Sequence, residues 1–578
     1  MSVGESRGIG DNVIEDYTIY GNHVNKERHV PKLEDGLKPV YRRMILTALE
    51  EPAGKMVKAA KLIGDNMSCF TGDTKILCAD GRCRSIDLIS QLLDDGKEVY
   101  TYSVNPKGSE VVKSRIDIVI PREPRQIVRI TLNNGDSFNC TPNHRFLTSN
   151  GCYIPAQDLS YQETIVTVRP NGVKKLTGLR MVDRVSCGTQ KVYDLAIDHP
   201  YHNFTLESGI VVKNCRHPHG DQGIINVVAE LVHAGIFKGQ GAFGSKGMVK
   251  WADYPPAAPR YPEVMMDPKW RELIGKLLPY VPKSENDYGK LDPEYIVSPY
   301  PLGLQFGSFG IGVGLSVNLP AFEPKSMIKA ALAVLTNRPE PWKYLEANYG
   351  LTIPDEDKEL FWNSNSGILH YNFTVTPDFS GGLSGWAITG DPSFVKPRTS
   401  KLFKLKDNDG KLVIRDESAG GKQKLFIARP KRIKTITDTE VENLVREAAE
   451  VPKFFSLYAV YKGQTRPLTG GVWITKCLQQ YVKAFNAYKA DQISKVDFEI
   501  LVFQNFKVVA DKILNSNEDY SKIAKSCNTT EEVVKKIASM SVGTLRNTDP
   551  QKRIESLNGK RKSLEALKVT DLLSEFTK

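Results

Sequence analysis

Seven of the nine cysteines of this chain (Cys69, Cys78, Cys83, Cys140, Cys152, Cys187 and Cys215) fall between residues 69 and 215, and that crowding marks off a stretch unlike its surroundings. Only Cys477 and Cys527 lie elsewhere, so the thiols answer a local need and not that of a secreted disulfide framework. Inside the stretch, short β-rich pieces follow one another at 99–104, 126–132, 137–139 and 164–168, separated by Gly, Asn and Pro turns. That rhythm predicts a compact all-β module. A chain of 578 residues is too long for one core and predicts roughly three or four domains. The module therefore interrupts a longer protein, with 1–68 on one side and 215–578 on the other.

The edges of the module carry chemistry. Cys69 stands at its first position and Asn214-Cys215 at its last. A cysteine is partly thiolate at neutral pH and strongly nucleophilic, so Cys69 can turn the amide before it into a thioester. An asparagine at the far end can cyclise on its own carbonyl, and Cys215 beyond it can take the acyl group. Taken singly these residues mean little, because a lone Cys is more often a small buried hydrophobe. The ordered set is another matter: Cys69-Phe70-Thr71-Gly72-Asp73-Thr74, then Thr141-Pro142-Asn143-His144, Asp194, His202-Asn203-Phe204 and Asn214-Cys215. It resembles a mini-intein of the Hint fold, without the paired acidic helices of a homing endonuclease.

That resemblance implies that 69–214 excises itself and joins Ser68 to Cys215. His144, placed by Thr141 in the family's Thr-x-x-His, would protonate the departing nitrogen of Cys69, a general-acid task. Asp194 would serve the transesterification. The family's usual His before the final Asn is Lys213 here, so Asn214 cyclisation falls to His202, with His199 close enough to share the part. A Hint-type element that cleaves without ligating is the nearest rival, and Cys215 after Asn214 argues against it.

Removing the module joins Gly64-Asp65-Asn66-Met67-Ser68 to Cys215-Arg216-His217-Pro218-His219-Gly220-Asp221. Upstream lies Asp35-Gly36-Leu37-Lys38-Pro39-Val40-Tyr41-Arg42-Arg43. Downstream lie Gly239-Gln240-Gly241-Ala242-Phe243-Gly244-Ser245, Arg260-Tyr261 and Phe309-Gly310-Ile311-Gly312-Val313-Gly314. In this order they resemble the cleavage subunit of type IIA DNA topoisomerases, the family of gyrase A and the medium subunit of tailed-phage topoisomerases. Independently of that likeness, Pro39 suits a first helical turn, with Tyr41, Met44, Ile45, Ala48 and Leu49 as one apolar stripe. A second helix is expected over 56–63. Asp221 can cap a third that turns Ile224, Val227, Val228, Leu231 and Val232 inward. Three short helices on one small core make a winged-helix or helix-turn-helix unit.

The family likeness implies a multidomain α+β protein: 1–68 and 215–280 as the winged-helix cleavage domain, 281–440 as a β-rich tower, and 441–578 as a coiled coil with a dimer gate. Tyr261 would be the nucleophile that forms a 5′-phosphotyrosyl bond. A phenol is a poor nucleophile at neutral pH and needs cationic neighbours. Arg260, His217 and Arg43 would supply them, with His219 and Arg28 on adjacent phosphates. Lys38 and Arg42 would contact DNA, and Ile311 would wedge a base step open.

Basic residues at 396–406 and 422–434 alternate as strands do and could line phosphates. Asp355 and Asp357 read as loop residues. Long helices are expected over 478–515 and 549–568, and with them a C2 homodimer. A net charge of +11 suits a polyanionic partner such as double-stranded DNA.

No ATPase phosphate loop and no metal-binding carboxylate cluster stand out. ATP and Mg2+ would therefore be held by a large partner subunit, leaving this chain incompetent alone. The chain ends without a DNA-wrapping propeller, so relaxation or decatenation is expected over negative supercoiling. No apolar run reaches a membrane span and no signal peptide opens the chain, so the cytoplasm of a bacterium or of a phage-infected host is expected. The competing reading is a non-catalytic architectural DNA-binding protein that carries an intein.

Overall fold

The computed structural model describes residues 21, 25–64, 69–105, 110–168, 174–198, 201, 203–213, 221–249, 252–285, 291–419, 422–515, 518–541, 544 and 548–577. Within 69–213, strands dominate. A five-stranded antiparallel sheet runs in the order Met181–Asp198, Phe70–Thr71, Ser137–Cys140, Val111–Leu132, Val99–Val104. Its two long strands also pair with each other over most of their length, with register shifts that bend them, one of them across Cys187-Gly188. A four-stranded sheet follows, in the order Asn203–Thr205, Val211–Lys213, Arg145–Leu147, Tyr153–Pro155. Two clusters of buried side chains fill this region, one around Phe70, Ile130, Phe146 and Phe204 and a smaller one around Val104, Leu147 and Val211.

The all-β expectation needs one correction here. Ile86–Asp94 is an α-helix, capped by Ser85, whose Oγ accepts the Leu88 N–H at 3.3 Å. Ile86 and Ile89, one turn apart, are both fully buried, which is helical and not strand spacing.

Around this region the flanks build a second and larger core. Pro39–Glu50 is the helix expected from its first-turn proline, burying Val40, Tyr41, Met44, Ile45 and Ala48. The expected helix over 56–63 is split: Val57–Lys58 is an edge strand and only Ala59–Gly64 is helical. β-branched Val57 pairs with Val264 of Glu263–Met266, which pairs in turn with Phe237–Gln240. Asp221–His233 is the third helix, and its Ile224, Val228 and Leu231 are fully buried.

Cys69, Ile127 and Val192 belong to this larger core and not to the clusters around them in sequence. Arg125 Nη1 also donates to the carbonyl of Ala60 at 2.7 Å. The strand-rich region is thus seated on the second core at the place where it enters the chain.

Farther on, Thr374–Ser380, Leu383–Thr389, Lys424–Ala428 and Val413–Asp416 form an antiparallel sheet in that order. Two expectations fail here. Ser400–Asp409 is a helix, because Leu402 is turned into the core, so the lysines at 401, 404 and 406 do not line a strand. Asp355–Asn363 is also a helix, with Asp357 buried and accepting the His370 backbone N–H at 2.6 Å.

Near the C-terminus Gly470–Asn515 is one helix of 46 residues. Pro550–Ala566 lies antiparallel to it: Lys489 donates to the carbonyl of Glu565, and Arg561, further back along the second helix, pairs with Asp497. Val502, Phe506 and Val509 form a separate small core with Ile523, Val533 and Ile537. Among the described residues no helix is long and apolar enough to cross a membrane.

Candidate functional site

Cys69 is buried at 1% exposure, and Thr141 grips its backbone from both sides. The Cys69 N–H donates to Thr141 Oγ1 at 2.9 Å, and the Thr141 N–H donates to the Cys69 carbonyl at the same distance. The amide that a thioester step must break is therefore held by its nitrogen. The His144 N–H closes the turn onto the Thr141 carbonyl at 3.0 Å, so the histidine shares a turn with the residue that holds Cys69. Its ring lies 3.9 Å from that of Phe70, the neighbour of Cys69.

Neither ring nitrogen of His144 has a hydrogen-bond partner among the described residues, although the ring is buried. Burial pulls its pKa down from 6.5 to about 3. The ring is therefore neutral at rest, and as a general acid it must first take the proton that it gives.

Asp194 is buried on the strand Met181–Asp198. Val192 pairs with Thr71 and Tyr193 with Phe70, and continuing that register carries Asp194 toward Cys69. Ser68, His202, Asn214 and Cys215 lie outside the described residues. Every cysteine among the described residues is a free thiol.

The second candidate centre is the loop that bears Tyr261. This tyrosine is 63% exposed, and the Arg260 guanidinium stands 4.7 Å from its ring centroid. What fixes the loop is the start of the helix Ala59–Gly64. The Ala59 N–H donates to the Pro262 carbonyl and the Ala60 N–H to the Pro259 carbonyl, each at 2.9 Å, so two otherwise unused helical donors straddle the tyrosine. Lys58 adds a third tie, from its Nζ to the Tyr261 carbonyl at 3.2 Å, and forms an ion pair with Glu263 at 2.9 Å. Sequence reasoning missed Lys58 and the two alanines, since nothing local links residues two hundred positions apart.

Of the expected phosphate ligands, Arg43 sits half-buried on the helix Pro39–Glu50. The backbone of Arg28 lies in the short helix Asn25–His29, with its side chain outside the described residues, as are His217 and His219. Arg42 is engaged elsewhere. Its Nε and Nη2 bind the two oxygens of fully buried Asp35 at 2.6 and 2.9 Å, and Nη2 also reaches the Leu37 carbonyl. Asp35 further accepts the Leu37 and Ile296 N–H groups. Arg42 therefore neutralises a buried carboxylate, and this corrects its expected place as a DNA contact.

Lys38 Nζ donates to the Phe309 carbonyl at 2.6 Å, at the foot of the strand Phe309–Ile311, and burial lowers its pKa below the ordinary lysine range. Ile311 is 65% exposed. Several cations of the two basic stretches are also paired, as Lys396 with Asp253, Lys401 with Glu447, Lys424 with Asp378 and Arg429 with Asp438. Among the described residues no three His, Cys, Asp or Glu side chains converge as a metal site would need.

Residues 196–358 match the family model for the A subunit of DNA gyrase/topoisomerase IV, a match that spans Tyr261 and Ile311 and starts ahead of Asn214. The DNA gyrase A subunit of Borreliella burgdorferi is 34% identical over 129 residues, covering 21% of this chain and 15% of that protein. That of Haloquadratum walsbyi is 34% identical over 126 residues, covering 21% and 14%. The DNA gyrase B subunit of a Synechocystis strain is 32% identical over 98 residues, covering 17% and 9%. The chain thus spans less than a fifth of the length of each of these curated relatives.

Proposed function

We propose that this chain is a self-splicing precursor of the DNA-cleaving subunit of a type IIA topoisomerase. The observation that carries the enzymatic half is Tyr261, held out to solvent on a pinned loop, with Arg260 against its ring, inside the segment similar to the A subunit of gyrase and topoisomerase IV. An exposed hydroxyl suits a substrate too large to enter a pocket. Tyr261 Oη attacks a backbone phosphorus, the 3′-oxygen leaves, and a 5′-phosphotyrosyl bond holds the broken end. The reverse attack reseals the strand with no net change in bond energy, so resealing needs no ATP. Arg260 and Arg43 offset charge on the pentacoordinate phosphate, with His217, His219 and Arg28 on neighbouring phosphates.

Mg2+ would stabilise the same charge, with its ligands supplied by a partner subunit that also binds ATP. A cleavage subunit of this kind works as a C2 homodimer, with the C-terminal helices as its contact.

The splicing half rests on the Cys69–Thr141–His144 arrangement. Neutral His144 takes the Cys69 thiol proton, and Cys69 Sγ attacks the Ser68 carbonyl. The imidazolium so formed, strongly acidic in its dry site, passes the proton to the Cys69 nitrogen as the C–N bond breaks. The Cys215 thiol then attacks the thioester and releases the Cys69 thiol. Asn214 cyclises through its side-chain nitrogen, which severs the 214–215 bond, and an S-to-N shift leaves a Ser68–Cys215 amide. A shared inserted element would also account for a chain similar to gyrase A proteins matching 98 residues of a protein named as gyrase B.

The test of the enzymatic half is a trapping assay. Protein mixed with an ATPase partner, Mg2+ and supercoiled DNA should yield a denaturation-stable adduct on Tyr261. Tyr261→Phe should lose the adduct and relaxation while keeping DNA affinity within about twofold. An adduct on another tyrosine would move the site, and DNA binding without any adduct would favour an architectural protein.

A further inference from the structure

Phe309 has no part in the function proposed above, yet it is 60% exposed two residues from Ile311, which is 65% exposed. The two share the strand Phe309–Ile311, which pairs with Ser316–Asn318, and alternate residues of a strand point to the same side. Gly310 between them is buried, and the strand's other side has no free space. A Cβ on Gly310 would lie 2.4 Å from the His29 carbonyl oxygen, and one on Gly312 would lie 2.2 Å from Asn25 Oδ1.

Both ends of the segment are tied down. Lys38 holds the Phe309 carbonyl, and the buried Asn25 side chain both donates to the Val313 carbonyl (3.0 Å) and accepts its N–H (2.8 Å). A rigid strand therefore presents two large apolar side chains to water on one face, with an ammonium group at its foot.

We propose that Phe309 and Ile311 form a two-pronged wedge and that Phe309 enters DNA at a second base step. This rests on the reading of Ile311 as a DNA wedge. Strand residues rise about 3.4 Å each, so the two prongs stand about 7 Å apart. Stacked nucleotides repeat at about 3.4 Å along one strand, so the prongs match two steps. Phe and Ile are both side chains that unstack steps from the minor groove, and the chain's net charge of +11 suits a DNA occupant.

The test uses the expressed protein and a short duplex that it binds, with 2-aminopurine placed at each step in turn and end-labels that report the bend by energy transfer. The wild type should brighten two positions two steps apart. Ile311→Ala should darken one and Phe309→Ala the other, each weakening binding about tenfold, while Phe309→Leu retains both. A single bright position that Ile311→Ala removes and Phe309→Ala leaves would overturn the second prong and spare the wedge. If neither variant alters any position or the bend, the wedge itself falls. A change in sedimentation of Phe309→Ala without DNA would make this face a protein contact and overturn the proposal. Unchanged thermal unfolding of each variant separates these outcomes from misfolding.

Discussion

The surroundings of Cys69 and of Tyr261 are opposites. Cys69 lies at 1% exposure, held by Thr141 in the same turn as a neutral imidazole that has no hydrogen-bond partner among the described residues, whereas Tyr261 stands 63% exposed beside a guanidinium. On the function proposed above, the substrates explain the contrast. A junction that acts on its own backbone already holds its reactant, so it can exclude water and rely on position. A nucleophile for duplex DNA must wait outside, and its precision comes from beneath, through the Ala59 and Ala60 amides that pin its loop. Substitutions at the buried site should therefore alter stability and rate together, and those at the exposed loop should alter chemistry alone.

The largest effect on stability should come from the helix Pro39–Glu50, which carries Arg42. Arg42→Ala leaves Asp35 charged and buried without its guanidinium, which should cost about 3–5 kcal/mol of stability in chemical denaturation. Tyr261→Phe, by comparison, should leave the unfolding midpoint unchanged. A loss of under about 1 kcal/mol for Arg42→Ala would mean that water reaches Asp35 and that Arg42 is available to DNA after all.

At the buried site, pH is the sharper probe. The folded pKa of His144 is depressed from 6.5 to about 3, so the native ring stays neutral where the unfolded one is protonated. Its contribution is therefore fully present above pH 6.5 and is lost as pH falls from there toward 3, at about 1.4 kcal/mol per pH unit. Splicing-blocked protein carrying Cys69→Ala should unfold more easily at pH 5 than at pH 7.5, and adding His144→Gln should flatten that slope. An unchanged slope would place the ring in contact with water.

The smallest effect concerns Thr141. Replacing it with Val keeps the shape but removes the acceptor from the Cys69 N–H, worth about 1–2 kcal/mol, or roughly tenfold in thioester formation read by thiol-induced cleavage. An unaltered rate would reduce Thr141 to a packing residue.

Much of this was legible along the chain, where the signal is local. Pro39 and the stripe of Tyr41, Met44, Ile45 and Ala48 gave the helix Pro39–Glu50, and strands at Val99–Val104 and Ile165–Val168 lie within a residue of the turn-bounded β-rich pieces that predicted them. Of the strand Val111–Leu132 only 126–132 was read, the rest being hidden by Pro121 and Pro124, and the full length of Met181–Asp198 was hidden by Gly188. Long twisted strands absorb such residues at bends and register shifts, and sequence alternation does not reveal that. Ser400–Asp409 misled because its lysines mimic alternation while Leu402 sets the helical register. At the sites, Arg260-Tyr261 and Thr141-x-x-His144 were readable as neighbours. Lys58 under Tyr261, Asp35 on Arg42 and Asn25 on Val313 depend on chain crossings that no window of sequence contains.

The most direct test is the mass of what expression yields. Splicing under reducing conditions should give two chains, one of them digesting to a peptide in which Ser68 is joined to Cys215, and Cys69→Ala with Asn214→Ala should leave one full-length chain. A wild-type protein that stays at full mass and yields only the Ser68-Cys69 and Asn214-Cys215 peptides would contradict the splicing reading.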